Sequence, residues 1–145
     1  MRRVLAAVSL LLIAGCGNIQ WFPSNTSNGS TPSDGTASPT PFTFTDATMT
    51  LALAQQNQPS ESNMVTIQGT NAAGWTLTLT DTPSSANGEA IINGQYYLKG
   101  STMPAVKPTD TLQIVQVASK TVGGVVSTKV KLGNYSTHFR TTTTN

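Results

Sequence analysis

The sequence predicts an all-β domain, a two-sheet antiparallel β-sandwich of seven to eight strands behind a disordered tether. Three observations carry this. Beyond Pro41 the apolar residues recur with a period of two, the signature of half-buried strands. Thr, Ser, Asn and Gly dominate the composition; Thr favours strands, and Gly and Asn favour tight turns. No segment repeats convincingly at the helical period.

The elements follow in order. Phe42 and Phe44 alternate with Thr43 and Thr45, and Met49, Leu51 and Leu53 alternate with Thr50 and Ala52. Val65 and Ile67 make a short strand that stops at Gly69. Trp75, Leu77 and Leu79 interleave with Thr76, Thr78 and Thr80, the cleanest alternation in the chain. Residues 83–88 read as a loop. Ile91 and Ile92 lead into Asn93-Gly94 and then Gln95-Tyr96-Tyr97, a hairpin whose Asn-Gly pair accepts the positive φ angles of a type I′ turn. Pro104 and Pro108 break the next loop. Leu112 and Ile114 open a long strand in which Val115 and Val117 take the other phase. Either that strand is buried on both faces or a bulge shifts its register. Val126, Thr128, Val130 and Leu132 follow, Gly133-Asn134 makes a second two-residue turn, and Tyr135, Thr137 and Phe139 return. The expected core is Val65, Ile67, Trp75, Leu77, Leu112, Ile114, Val130 and Phe139.

Before the domain stand two different segments. From residue 24 to residue 41, all but Asp34 and Ala37 are Ser, Thr, Asn, Gly or Pro. Such a stretch buries too little apolar surface to offset its ordering entropy, so a disordered tether is expected, with a root-mean-square reach of about 25 Å. At the start, Arg2 and Arg3 precede the apolar run from Val4 to Ile13, and Ala14 and Gly15 lead to Cys16, the one cysteine. That run is too short for a permanent span, which needs roughly 20 apolar residues. Charge, apolar run and small residues in this order form a processing signal. It resembles the lipobox of bacterial lipoproteins, with Ile13 in place of the usual Leu. The resemblance implies cleavage between Gly15 and Cys16 and acylation of Cys16. Each buried acyl methylene contributes about 0.8 kcal/mol to membrane binding. By the same resemblance, Gly17 stands where an Asp marks inner-membrane retention in Gram-negative lipoproteins, and the absence of that Asp implies the outer membrane. The expected divisions are residues 1–15 as signal, 16–41 as anchor and tether, and 42–145 as domain.

Residues 42–142 also resemble an Ig-like repeat of bacterial surface and secreted proteins. The matching pieces are Phe42-Thr43-Phe44-Thr45-Asp46, Ser62 to Asn71, Gly88 to Gly94, Asp110 to Ile114, and Leu132 to Thr142. Ala90 replaces an aromatic, and Pro108-Thr109 replaces an Asn-Gly turn. The resemblance implies an Ig-like sandwich with a structural or adhesive role, and it carries no catalytic residues.

Composition narrows the function classes. Without Arg2 and Arg3, six basic residues face six acidic ones, so the processed chain is near neutral. It has no basic stripe, and nucleic acid is not an expected partner. One lipidated cysteine leaves no internal disulfide or thiolate metal site. His138 is the one histidine and shares a phase with Ser136 and Arg140, opposite Phe139, so it is expected to face solvent. No nucleophilic triad follows from that set. Asp46, Asp81 and Asp110 flank strands or turns, where Asp caps backbone groups. Loop carbonyls leave calcium open, but no acidic repeat is present, and no cofactor is expected. Trp21 and Phe22 either dip into the headgroup zone, dock on a partner, or stay unpacked. Tyr96 and Tyr97, with Trp75, either form a glycan platform or leave Trp75 to the core.

The expected function is therefore that of a non-catalytic outer-membrane lipoprotein, a structural or accessory subunit of an envelope or cell-surface assembly. The alternative is a glycan- or peptide-binding surface module. Residues 42–53 carry one charge, Asp46. They are expected at a sheet edge or crossing between sheets, where they or the terminal strand pair with a neighbouring protein by strand addition.

Overall fold

The computed structural model describes residues 37–145. The signal, Gly15, Cys16, Trp21, Phe22 and most of the tether lie outside the described residues. The elements are β1 (Ala47–Thr50), α1 (Leu51–Gln55), β2 (Pro59–Glu61), β3 (Val65–Thr66), β4 (Leu77–Thr82), a 3-10 turn (Ser84–Ala86), β5 (Glu89–Ile92), β6 (Gln95–Tyr97), β7 (Thr111–Val117), β8 (Val125–Leu132) and β9 (Tyr135–Thr144). Strand alternation thus dominates the described chain, and the domain is all-β.

Two sheets form. The first has the order β1-β9-β8-β4, and the second has the order β2-β7-β5-β6 with β3 also on β7. All pairs are antiparallel except β1 with β9, which run parallel with Ala47 beside Thr141. One core cluster draws on both sheets: Trp75, Leu77, Leu79, Val130, Leu132 and Phe139 meet Ala90, Ile92, Leu112 and Ile114, with Ile67, Val106 and Phe44 from the flanks. The expected core residues are all buried except Val65, which packs against the cluster while half-buried. Val65 sits in the two-residue β3 at the end of the pairing with β7, where one side stays open.

Trp75 anchors this core at 2% exposure. Its indole Nε1 donates to the Ala37 carbonyl, and its main chain exchanges both hydrogen bonds with Val106, at 2.8 and 3.0 Å. The indole packs so close to Gly133 that a Cβ there would stand 2.7 Å from ring atom Cδ1. Gly133 also has φ +59 and opens the two-residue turn between Leu132 and Tyr135. Both its conformation and its contact exclude a side chain. Gly133→Val is therefore expected to destabilise the domain by roughly 2 kcal/mol, read as a shifted urea midpoint with unchanged slope. The hairpin at Asn93-Gly94 has φ +51 and +81, the signs a type I′ turn requires.

Four details differ from the sequence reading. Residues 51–55 form a helical turn, α1, rather than continuing a strand. Leu-Ala-Leu-Ala-Gln is a run of strong helix formers, and its period of two imitates a strand. The turn buries Ala54, ends at Asn57 with φ +56, and carries the chain from the first sheet to the second. Phe42 and Phe44 lie outside any strand. Tyr135 Oη donates to the Phe42 carbonyl and accepts the Phe42 N–H at 3.2 Å, so a side chain takes the bonds a ladder would have used. Packing also begins before residue 42: Pro39 is buried, and Thr40 N–H donates to Gln68 O at 2.8 Å. Finally, the bulge lies opposite β7, not in it. Residues 62–64 face only Gln113 and Ile114, between the pairs Glu61–Val115 and Val65–Leu112. β7 keeps Leu112, Ile114 and Gln116 inward, while Val115 is buried on its other face.

Candidate functional site

β4 is an edge strand. Leu77, Leu79 and Asp81 point inward and are buried; Thr78, Thr80 and Thr82 point outward and are exposed. Its one strand partner is β8, with Leu77 beside Leu132 and Thr82 beside Ser127. The direction of its main-chain groups follows from its two ends. Thr76 O accepts from Gly133 N–H on the β8 side, whereas Trp75 bonds Val106 on the opposite side. Successive residues of a strand alternate between sides. The N–H and C=O of Leu77, Leu79 and Asp81 therefore face away from β8, toward a side with no strand partner among the described residues.

The segment before Val106 explains the gap. The antiparallel Trp75–Val106 bridge would carry on by placing Pro104 opposite Leu77. Pro104 has no N–H to give, so pairing stops there and the chain peels away. A groove of about 400 Å3 opens between β4 and this diverging segment, lined by Leu77 and Leu79 from β4 and by Lys99, Gly100, Ser101 and Met103 from the segment. The Trp75–Val106 bridge lies beyond one end. At the other, Lys99 Nζ reaches Asp81 Oδ2 at 2.7 Å.

Asp81 fixes that end. Its side chain has no exposed area, and it accepts from Gly88 N–H at 3.0 Å and from Thr128 Oγ1 at 2.8 Å. Gly88 permits this approach, since a Cβ there would lie 2.5 Å from Asp81 Oδ1. Burial works to raise the Asp81 pKa, but Lys99, the Gly88 N–H and the Thr128 hydroxyl outweigh it and hold the carboxyl below its usual value. From Thr128 a buried polar row runs between the sheets: Thr128 Oγ1 lies 2.8 Å from Gln116 Oε1, Gln116 Nε2 is 2.8 Å from Thr141 Oγ1, and Thr141 is 2.8 Å from Ser60 Oγ.

The residues singled out from sequence fall elsewhere. Trp75 is core, which removes it from a glycan platform. Tyr96 is 53% exposed on the outward phase of β6, and Tyr97 is half-buried against the core, so the two tyrosines point to opposite sides of the hairpin as expected. His138 is exposed on β9 between Ser136 and Arg140. Asp46 accepts from Arg140 N–H at 3.1 Å, and Asp110 accepts from Lys107 N–H at 2.7 Å and Asn93 Nδ2 at 2.8 Å, both as caps. These bonds, Asn93 first, hold the Asp110 carboxyl below its usual value. Asp81 also caps a backbone group, but from inside a strand. Among the described residues no three His, Cys, Asp or Glu side chains converge on a metal position. The terminal strand β9 lies between β1 and β8, with β1 beside Thr141 to Thr144 alone, and β1 lies at an edge. A larger hollow of about 680 Å3, bordered by Pro83, Asn87, Val117 and Val125, has Lys120 as its one ionisable lining residue.

The groove went unread in the sequence, although two signals marked it. One is the uncharged Thr-Leu-Thr-Leu-Thr strand; the other is Pro104 placed two residues before a partner of Trp75. Comparison with protein-family models, curated proteins and solved structures finds no match to this chain.

Proposed function

We propose that this chain is a non-catalytic outer-membrane lipoprotein whose Ig-like sandwich serves as a structural or accessory interaction subunit of an envelope assembly. An acylated Cys16 holds it to the membrane, the tether after it spaces the domain, and the domain makes contact by strand addition. The observation that carries this reading is the open edge of β4, where Leu77 and Leu79 turn main-chain donors and acceptors toward a walled groove. Strand addition takes its affinity from such groups and needs no side-chain signature. Natural edges are usually blunted by charge; the outward side chains of β4 are threonines alone. The Ig-like assignment rests on two sheets sharing one core around a buried tryptophan, with the first strand beside the last. The alternative, a glycan-binding surface, rests on the exposed Tyr96.

Two variants test the reading in the full chain. Cys16→Ser is expected to move the protein from the membrane fraction to the soluble envelope fraction; unchanged fractionation defeats the lipoprotein assignment. Ser101→Trp, at an exposed wall position, is expected to fill the groove without disturbing the core. In mild detergent the native protein should migrate well above monomer mass and this variant at monomer mass. An unchanged assembly size in a folded Ser101→Trp variant rejects the β4 edge as the contact.

A further inference from the structure

We propose that the β4 groove takes an extended segment of a partner protein in which apolar and acidic residues alternate. This rests on strand addition at the β4 edge and adds the chemistry of the occupant. A strand laid against Leu77 and Leu79 continues the first sheet, so its side chains must alternate between the two faces of that sheet. Those facing inward meet Leu77, Leu79 and Met103, an apolar lining. Lys99 is already committed to Asp81 and leaves no charge free on that side.

Those facing outward meet a different surface. Beside Thr78 lies Lys131, and beside Thr80 lies Lys129. Both lysines are exposed, and among the described residues neither has a carboxylate within salt-bridge distance. His138 is the next residue across from Lys129, and Arg140 follows on β9. The one acid in this row, Asp46, is engaged with Arg140. The acids Glu61 and Glu89 lie on the second sheet, flanking Val115 on its outward phase. Charge is thus segregated in a chain whose totals nearly cancel. Thr78 and Thr80 are short, so the lysines behind them reach over toward an added strand about 10 Å from β8, two strand spacings. Acidic residues at the outward positions satisfy them; basic ones are repelled.

The test uses the full chain in mild detergent with two eight-residue peptides, one alternating valine with glutamate and one alternating valine with lysine. The glutamate peptide is expected to bind roughly tenfold or more tighter, given two exposed charge pairs gained against two repulsions. Binding should slow hydrogen exchange at the Leu77 and Leu79 amides. Lys129→Glu with Lys131→Glu, both on the surface, should reverse the preference. Equal binding of the two peptides with both amides protected overturns the acidic preference while leaving strand addition standing. Failure of the glutamate peptide to protect those amides overturns the proposal for this groove. The assembly size of Ser101→Trp then decides separately whether the edge is a contact at all.

Discussion

Trp75→Ala should remove a third or more of the stability of a domain with about 10 kcal/mol in all. Truncating a buried tryptophan costs about 3–5 kcal/mol, and a domain of this size has about 5–15 kcal/mol in all. This site lies at the upper end of that cost because the indole does three things at once. It fills the centre of a cluster drawn from both sheets, covers Gly133 at the β8–β9 turn, and donates to the Ala37 carbonyl. The cavity cannot collapse easily, since the backbone on either side is held by the Val106 bridge and the turn. Far-ultraviolet circular dichroism and a urea titration would measure the loss. Trp75→Phe, which keeps most of the volume but not the N–H, should retain the fold with a lower midpoint. A fully cooperative Trp75→Ala transition within about 1 kcal/mol of the native one would refute this account of the core.

Asp81→Ala should cost about 3 kcal/mol, the low end for breaking a pair in which one partner, here Asp81, is buried. Most of that comes from the groups left behind. The Gly88 N–H loses its acceptor, and Thr128 loses one end of the row to Gln116. Lys99 is partly exposed and rehydrates, which keeps the cost from rising further. The same site gives a pH dependence of known sign. The folded-state pKa of Asp81 is lowered, so the native state binds fewer protons there than the unfolded chain. Its contribution is complete above the unfolded carboxylate value of about 4 and disappears as pH falls through the folded value. Stability of the native protein should therefore fall on acidification below about pH 4, and Asp81→Asn should flatten that fall. Equal acid sensitivity in the two proteins would assign the effect to other groups, Asp110 first among them.

The open edge of β4 also raises the question of uncontrolled association. An open edge flanked by uncharged residues invites pairing with any extended segment. Here the groove wall from Lys99 to Met103 restricts access, and Pro104 keeps the chain's own next segment from zipping onto the edge. The opposite edge, β1, is four residues long and ends at once in α1, which leaves little to pair with.

Much of the fold could be read from the residues alone. The all-β class, the inward phase of Trp75, Leu77 and Leu79, both two-residue turns and the solvent position of His138 follow from local chemistry. Period-two patterning and turn preferences act between neighbours in sequence, so they need no tertiary context. Residues 51–55 show where such reading fails: Leu-Ala-Leu-Ala satisfies the strand pattern and the helix propensity alike, and only the need to cross between sheets selects the turn. The groove, the Asp81–Lys99 pair and the row from Thr128 to Ser60 were decided by tertiary structure. Each joins residues far apart in the chain, and each depends on which strand lies at an edge and in what register. Strand order is a property of the whole packed chain, because every strand here carries a similar pattern and any of several could have filled the centre.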